Sequence, residues 1–222
     1  MIRFDQVCKD YPGSAGALTD VSFAVSPGEL LFLNGPSGAG KSTLLKLIAG
    51  IERPSRGSVM VGGQDIGGLR RAALPYLRRR LGLIFQQQRL LPDRSVVANV
   101  MLPLLVTGAA RSEAHKRSLL ALDRVGLADK AGNAPETLSG GEQQRATIAR
   151  AIVHRPQIIL ADEPTANLDR AAANLVVDLL RDFNRAGVTC LISTHDEEFL
   201  RGPDRVVQLG RGRLLDVGRA DT

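Results

Sequence analysis

Short apolar runs alternate with longer helical patterns along most of this chain. Four of the apolar runs predict buried strands, at residues 30–33, 81–85, 158–161 and 188–193. Four helical patterns predict helices, at residues 42–49, 112–125, 142–153 and 171–184. Strands that alternate with helices indicate an α/β fold, in which a mostly parallel sheet is covered by helices on both faces.

Other strands are predicted near the two ends of the chain. Residues 1–33 and 57–61 predict short strands separated by Pro-Gly and Gly-Gly turns. Residues 205–209 and 213–217 flank Gly210-Arg211-Gly212 and predict a hairpin. We expect the N-terminal strands to form one smaller lobe on the α/β core, and a helical insert to form another.

The length of 222 residues is sufficient for one sizeable core, and we expect a single domain over residues 1–222. The helical patterns that follow the strand at residues 81–85 predict a helical lobe of about residues 87–155. Cys8 and Cys190 lie in apolar, strand-like segments, which predicts buried free thiols. Buried thiols are consistent with a reducing cytoplasm.

The chain is not expected to cross a membrane by itself. Its most apolar stretch, residues 96–106, is interrupted by Asn99 and Pro103 and is shorter than the roughly 20 residues of a membrane span. The N-terminus lacks a signal-peptide pattern. The formal net charge of +6 fits a nucleic acid, an anionic membrane surface or an anionic ligand.

Arginines cluster before the strand at residues 81–85. The clusters are Arg70-Arg71 and Arg78-Arg79-Arg80. A solvated helix face is the simplest interpretation, and contact with anionic lipid headgroups is the second. Nucleic-acid binding is the least favoured, because the chain has few aromatic residues and no reader motif, so no nucleic-acid partner is expected.

A glycine-rich segment follows the first apolar strand and precedes the first helix. It fits the pattern G-x-x-x-x-G-K-[ST], whose backbone N–H groups and following helix N-terminus bind phosphates. Lys41 is expected to reach the β- and γ-phosphates, and Ser42 to offer its hydroxyl to Mg²⁺. The residues of this loop are Gly35, Pro36, Ser37, Gly38, Ala39, Gly40, Lys41 and Ser42.

Two carboxylates and a histidine follow the later strands. Asp162 and Glu163 end the apolar run at residues 158–161, where unpaired acids are costly. Mg²⁺ gives a reason for Asp162, and Glu163 becomes the candidate that polarises the attacking water. His195 follows the strand at residues 188–193 and could face the γ-phosphate, although a structural or surface role is more common for a lone histidine.

Two weaker signals lie outside these motifs. Gln86 follows the strand at residues 81–85, but polar residues often end strands. Tyr11 lies in an early turn and could stack on adenine, although an aromatic residue there is more often packed in the structure.

The sequence L-S-G-G-E-Q at residues 138–143 is not explained by the phosphate-binding loop of its own chain. Ser139, Gly140 and Gly141 immediately precede a predicted helix, whose N-terminus is suited to anions. Two phosphate-facing surfaces on one chain suggest a head-to-tail pair, in which Ser139 of one copy closes over ATP held by the other. The alternative is an ordinary capping turn before an amphipathic helix.

The order of these motifs resembles that of the ATP-binding domains of ABC proteins over nearly the full length. The resemblance implies a P-loop NTPase fold with a RecA-like core, an antiparallel β subdomain and an α-helical subdomain. It implies ATP and Mg²⁺, hydrolysis of ATP to ADP and phosphate, and a homodimer in the ATP state. The implied catalytic residues are Glu163, His195 and Lys41. The implied metal ligands are Ser42, Gln86 and Asp162. The implied nucleotide-binding residues are those of the glycine-rich loop with Thr43, Tyr11, Gln86, Ser139, Gly140, Gly141 and Asp162.

Within this family the chain is more similar to the ATPases of bacterial cell division than to lipoprotein-releasing or macrolide-export relatives. The similarity rests on residues 1–4, 35–55 and 77–96, notably Asp93-Arg94, whereas Ser95 and Ala166 depart from the usual pattern. It implies an integral membrane partner, a place on the cytoplasmic face of the inner membrane at the division septum, and control of cell-wall hydrolases.

The family resemblance also implies a groove in which a cytoplasmic helix of the membrane partner docks. Here residues 86–100 would line it, and Leu90, Leu91 and Val96 are apolar in a segment that otherwise resembles a surface loop. Packing of the helical lobe on the core would explain the same three residues.

Three alternative functions stay open at this level. The first is the ATPase subunit of a lipoprotein-release or macrolide-export transporter, with the same chemistry. The second is a DNA-repair or chromosome-handling ATPase, whose long coiled-coil or zinc insert this chain lacks. The third is a nucleotide-gated scaffold that recruits division proteins and seldom turns over.

Overall fold

The computed structural model describes residues 1–86, 90–200 and 205–219, and within them the chain forms ten strands and six α-helices. The strands are β1 (Ile2–Tyr11), β2 (Ser14–Val25), β3 (Leu30–Asn34), β4 (Arg56–Val61), β5 (Gln64–Asp65), β6 (Leu81–Ile84), β7 (Ile158–Asp162), β8 (Thr189–Thr194), β9 (Arg205–Gly210) and β10 (Arg213–Arg219). The helices are α1 (Lys41–Ile48), α2 (Leu74–Arg78), α3 (Val96–Val106), α4 (Arg111–Arg124), α5 (Gly140–Ile152) and α6 (Arg170–Arg185).

The central sheet has six strands in the order β10-β9-β3-β8-β7-β6. Its strands are parallel except β10, which returns antiparallel to β9 and confirms the predicted C-terminal hairpin. The apolar runs form its buried interior, as in β3, where Leu31, Phe32 and Leu33 are all fully buried. Because β3, β7 and β8 are parallel and adjacent, the residues at their carboxyl ends meet at one edge.

The N-terminal strands form a separate antiparallel sheet in the order β2-β1-β4-β5. Phe4 and Phe23 face each other across β1 and β2, with ring centroids 4.7 Å apart. Residues of this sheet and of the central sheet share one apolar cluster, which includes Phe4, Leu33 and Leu44. The β lobe is therefore packed on the face of the core that carries α1.

The helical lobe consists of α3, α4 and α5, which pack against each other. The helix α3 lies inside the region of about residues 87–155 that was predicted to be helical, although only α4 and α5 were predicted as individual helices. Ser95 caps α3 by accepting a hydrogen bond from the N–H of Ala98. Asn99 is fully buried, and its side chain bonds backbone groups of the preceding loop, including both the N–H and the carbonyl of Leu91.

The three apolar residues that were expected in the docking groove differ in how far they are buried. Val96 is fully buried in the core, so the expectation is wrong for Val96, which belongs to the packing of α3. Leu90 is partly buried and packs against the same cluster. Leu91 is 38% exposed and is the one of the three that stays available at the surface.

The arginine clusters are only partly a solvated face. Arg78 donates to the carbonyl oxygens of Ala49 and Gly50, at 3.2 and 3.1 Å, and so binds the C-terminal end of α1. Arg80 donates two hydrogen bonds to Gln157 Oε1, at 2.9 and 2.7 Å. The short helix α2 carries Arg78 into this position.

The C-terminal hairpin contacts and supports the glycine-rich loop. The N–H of Gly212 donates to the carbonyl of Ala39 at 3.1 Å, and the carbonyl of Gly212 accepts from the N–H of Thr19 at 2.7 Å. Leu209 approaches Gly35 so closely that a Cβ at Gly35 would lie 2.2 Å from the Leu209 carbonyl oxygen. The hairpin turn thus connects the β lobe to the loop through backbone contacts alone.

Cys8 and Cys190 are both buried free thiols, as expected. Burial raises the pKa of the Cys190 thiol to about 12, so this thiol stays protonated at neutral pH. In the described part of the chain, no helix combines the length and the apolar character that crossing a bilayer requires.

Candidate active site

The glycine-rich loop connects β3 to α1 and forms one wall of a cleft of about 480 Å³. Gly40 is the N-cap of α1 with φ of 105°, and a Cβ there would lie 2.8 Å from the Ala17 carbonyl oxygen. A side chain at Gly40 would therefore collide with the β lobe. The cleft is lined by Ala17, Pro36, Ser37, Gly38, Ala39, Gly40, Lys41, Ser42, Thr43, Gln86, Glu163 and His195.

Lys41 is the buried cation of the cleft, with 6% of its surface exposed. Its Nζ donates to the carbonyl oxygens of Gly35 and Pro36, at 2.6 and 3.3 Å. The same Nζ lies 3.3 Å from Glu163 Oε1. The ammonium group is thus held between the loop and the end of β7, where a phosphate on the loop would meet it.

Ser42 and Asp162 lie in contact although 120 positions separate them in the chain. The Ser42 hydroxyl donates to Asp162 Oδ1 at 2.9 Å, and the Ser193 hydroxyl donates to the same oxygen at 2.7 Å. Asp162 ends β7 and is 8% exposed, so its carboxylate is buried and fixed by two hydroxyl groups.

This donor set fits Mg²⁺. One carboxylate and one hydroxyl are the oxygen ligands that Mg²⁺ takes from proteins when phosphates and water supply the rest. Among the described residues, no three or more His, Cys, Asp or Glu side chains lie close enough together to hold a metal ion. A cation site formed entirely by such side chains is therefore not indicated there. The site is suited to a metal that arrives with a nucleotide.

Glu163 occupies the centre of the cleft in a strained backbone conformation. Its φ is 47°, in the left-handed region, which costs a residue with a side chain about 1 kcal/mol or more. Two hydrogen bonds hold it there, since its N–H donates to Ser193 Oγ at 2.9 Å and to the Ser193 carbonyl at 3.2 Å. The conformation directs the carboxylate to Lys41 on one side and His195 on the other.

His195 follows β8 and is two-thirds exposed. Its Nδ1 lies 2.8 Å from Glu163 Oε2. The two carboxylate oxygens of Glu163 therefore have different partners, Lys41 for Oε1 and His195 for Oε2. The sequence placed all three residues in one site, and the structure brings them together at the carboxyl edge of the sheet.

Gln86 and Tyr11 differ in their relation to the cleft. Gln86 is exposed and lies on the cleft wall, directly after β6. Tyr11 ends β1 and is not among the described residues that line the cleft; Lys9 Nζ lies 4.8 Å above its ring. The residue of the β lobe that does reach the cleft is Ala17. Metal binding by Gln86 and adenine stacking by Tyr11 stay predictions.

Ser139, Gly140 and Gly141 lie at the N-terminus of α5 and do not line the cleft formed by the described residues of their own chain. Ser139 forms a capping box with Glu142: its hydroxyl accepts from the Glu142 N–H at 3.3 Å, and its N–H donates to the Glu142 carboxylate at 2.8 Å. That backbone hydrogen bond lowers the pKa of Glu142 below its usual value. The capping alternative is thus present in the structure, and a role towards a second copy stays a prediction.

Two residues of the site were missed by sequence reasoning. Ser193 bonds Asp162 and Glu163 at once, and Asn34 Oδ1 accepts the N–H of Gly35 at 2.8 Å, at the start of the loop. Both are buried polar residues near the carboxyl ends of strands that neighbour the site. A polar residue at the end of an apolar strand indicates a site residue, and this signal could have found both. It had identified only Asp162, Glu163, His195 and Gln86.

Known proteins resemble this chain in both sequence and structure. The family model described as "ABC transporter" matches residues 18–166. The cell division ATP-binding protein FtsE of Escherichia coli K12 is 52% identical over 96% of this chain and 97% of the relative. FtsE of Haemophilus influenzae is 50% identical over 88% of this chain and 90% of the relative. The dimeric ATP-binding cassette MJ0796, in a post-hydrolysis state bound to ADP and Pi, superimposes with a TM-score of 0.90 at 33% identity and covers 100% of both chains.

Proposed function

The chain belongs to the ABC transporter family, and we propose that it is the ATP-hydrolysing subunit of an FtsEX-type membrane complex in bacterial cell division. Its fold is the P-loop ABC fold, and its reaction is the hydrolysis of ATP to ADP and phosphate. The high identity to FtsE proteins over nearly the whole length of both chains supports the assignment to cell division.

The observation that carries the chemistry is the position of Glu163. Its carboxylate lies in the phosphate cleft between Lys41 Nζ at 3.3 Å and His195 Nδ1 at 2.8 Å. A carboxylate with only 13% of its side chain exposed is shielded from bulk water, so a water molecule bound against it would be held in one orientation. We assign Glu163 as the general base that accepts the proton of the attacking water.

The remaining residues of the cleft bind and neutralise the phosphates. Backbone N–H groups of the loop and Lys41 would hold the β- and γ-phosphates, and His195 would donate to the γ-phosphate from the opposite side. Ser42 and Asp162 would hold Mg²⁺, with Gln86 at the edge of the cleft. When bound, the metal supplies positive charge that offsets the charge of the phosphate oxygens.

We propose that two copies pair head to tail in the ATP state. Ser139, Gly140 and Gly141 are outside the cleft of their own chain but precede a 13-residue helix whose N-terminus favours anions. A second copy could place them over the γ-phosphate and complete the site. The dimeric ABC cassettes that resemble this chain support such a pair.

The membrane partner in this proposal is FtsX, and the complex acts on the cytoplasmic face of the inner membrane at the division septum. ATP-driven movement of the pair would be passed through FtsX to cell-wall hydrolases outside the membrane. The partly exposed Leu91, fixed to the start of the helical lobe by the two hydrogen bonds of Asn99, supports a contact with FtsX on this side of the domain.

Depletion of the protein in its native cells tests this function. Depleted cells should form filaments, and a plasmid copy of the wild-type protein should restore division. A copy with Glu163→Gln should not, although it should copurify with FtsX as well as the wild type does. Normal division after depletion would refute the proposed role, and full rescue by Glu163→Gln would show that hydrolysis is not what the cell uses.

A further inference from the structure

We propose that the surface around α2 binds anionic phospholipid headgroups directly, so that the domain contacts the bilayer beside its membrane partner. This inference rests on the proposed function, because it assumes that the domain is held close to a membrane. It is carried by the charge, the exposure and the orientation of a basic patch that the active site does not use. We call Arg70, Arg71, Tyr76 and Arg79 the α2 patch.

The charge around the patch is strongly one-sided. From residue 66 to residue 92 the sequence contains six arginines and no aspartate or glutamate. The nearest preceding acid, Asp65, accepts the N–H of Gly67 at 3.0 Å. Glu52 is paired with Lys9 at 2.8 Å. The positive field of the patch is therefore not cancelled by acids within its own segment.

The five arginines of this segment that the structure describes divide into two groups with different contacts. Arg78 and Arg80 bind Ala49, Gly50 and Gln157 and so hold the structure together. Arg70, Arg71 and Arg79 are exposed, and their side chains form neither a hydrogen bond nor an ion pair within the described part of the chain. A structural role therefore explains the first group but not the second.

The orientation of α2 places the second group outward. Leu77 on α2 is buried and Leu74 approaches Gly50, so the face that carries them and Arg78 points to α1. Tyr76 and Arg79, three positions apart, lie on the opposite face. Tyr76 is 64% exposed, and the guanidinium of Arg79 lies 5.1 Å from the centre of its ring.

This combination favours a lipid surface over other anionic partners. An exposed tyrosine has an apolar ring and a polar tip, which suits the boundary between headgroups and acyl chains. Arginines beside it would meet the phosphates, each adding to the attraction of an anionic leaflet. Tyr76 is the one aromatic ring in the described patch, which provides no row of stacking platforms for a nucleic acid.

Vesicle sedimentation with the purified full chain tests the proposal. The probes are vesicles of phosphatidylcholine alone and of phosphatidylcholine with about one-third phosphatidylglycerol. We expect binding to the anionic vesicles only, weakened by salt. Arg70→Gln/Arg71→Gln/Arg79→Gln should reduce the partition coefficient by about two orders of magnitude, since each arginine near the surface contributes roughly a factor of five. Tyr76→Ala alone should cause a smaller loss.

The matched control is Arg111→Gln/Arg124→Gln/Arg213→Gln, which removes the same charge from exposed arginines elsewhere. It should retain most of the binding. Equal losses in both triple variants would overturn the proposal, because net charge alone would then explain the binding. Absence of wild-type binding to anionic vesicles would also overturn it.

Two further readouts separate this proposal from the proposed function. The ATPase rate of the α2-patch variant should equal that of the wild type, because none of its residues lines the cleft. If the variant binds vesicles normally but no longer copurifies with FtsX, the patch is a protein-docking surface and the lipid proposal is wrong. Tighter competition by a DNA duplex than by anionic vesicles at equal phosphate concentration would likewise overturn it.

Discussion

The Ser193 hydroxyl donates a 2.7 Å hydrogen bond to Asp162 Oδ1. The same oxygen of Ser193 accepts the N–H of Glu163 at 2.9 Å, so one side chain on β8 sets the positions of two consecutive acids at the carboxyl end of β7. Asp162 and Glu163 have different expected roles, and their shared support makes those roles interdependent.

Ser193→Ala should therefore impair hydrolysis without abolishing it. Asp162 keeps the hydrogen bond from Ser42, and Glu163 keeps the one from its N–H to the Ser193 carbonyl. Both acids therefore stay in the site but are held less firmly. We expect a loss of about 1 kcal/mol in unfolding free energy. The ATPase rate should fall and the Mg²⁺ concentration for half-maximal activity should rise, whereas Ser193→Thr should restore both in part. An unchanged Mg²⁺ dependence would contradict this positioning role.

Glu163→Gln should retain ATP binding and lose hydrolysis by roughly 10²–10⁴-fold, the usual contribution of a general base. The amide has nearly the size of the carboxylate and can remain beside His195, but it does not accept the proton of the water. The variant should also form a stable dimer in ATP, measured by light scattering. Near-normal turnover would show that Glu163 is not the base.

Lys41→Ala and Ser139→Arg should each be inactive for a different reason. The first removes the ammonium group that lies between the loop and Glu163. The second places a bulky cation where a partner's γ-phosphate would bind. In a head-to-tail pair, a mixed dimer has one site with both defects and one with neither. An equimolar mixture should recover up to about one-quarter of the wild-type rate, since half of the dimers are mixed.

The control for this mixture is Ser139→Ala, because Ser139 also caps α5. Loss of the cap alone should cost about 1 kcal/mol of stability and leave dimerisation largely intact. If mixed dimers form, as measured by differently tagged subunits, and the mixture stays inactive, then either the two sites are obligately coupled or the head-to-tail arrangement is wrong.

Leu91→Glu should weaken the pull-down of FtsX and leave nucleotide affinity unchanged. A charge would be buried in an apolar contact, whereas Lys41 and Asp162 remain in place. Val106→Glu is the matched control, since Val106 is 82% exposed at the other end of α3 and outside the expected groove. Loss of FtsX binding and nucleotide binding together would indicate misfolding, and intact pull-down would remove the support for this surface.

The sequence predicted the elements whose local pattern and packing agree. The strands at residues 81–85 and 158–161 and the C-terminal hairpin were found because their apolar residues are buried by the elements on either side. The helix α3 lies within the predicted helical lobe, but its own bounds were not predicted, since Asn99 and Pro103 interrupt its apolar stretch. In the structure Asn99 forms hydrogen bonds with the backbone of the loop before the helix. Asn99 can form these hydrogen bonds only when the loop is folded, so the local sequence does not indicate them.

The site was predictable to the extent that its residues follow strands. Lys41, Asp162, Glu163 and His195 were grouped because parallel strands bring their carboxyl ends to one edge. The contacts that fix them were not predictable, since the Ser193 hydroxyl and the positive φ of Glu163 depend on the register between β7 and β8. Ala17 lines the cleft and Tyr11 does not, although only the aromatic residue offered a signal in the sequence; adenine stacking by Tyr11 stays a prediction.

The contact between Gly212 and Ala39 has a consequence for how the protein is made. The described residues that line the phosphate cleft all precede residue 196, but the backbone of the loop is supported by Gly212, in the turn between β9 and β10. A ribosome therefore synthesises the ATP-contacting residues well before it synthesises their support. ATP affinity should arise only after residue 212 has been synthesised, because the long-range contact between Gly212 and Ala39 cannot form before then. A nascent chain that has not reached residue 212 would thus be unable to occupy its membrane partner in a nucleotide-bound form.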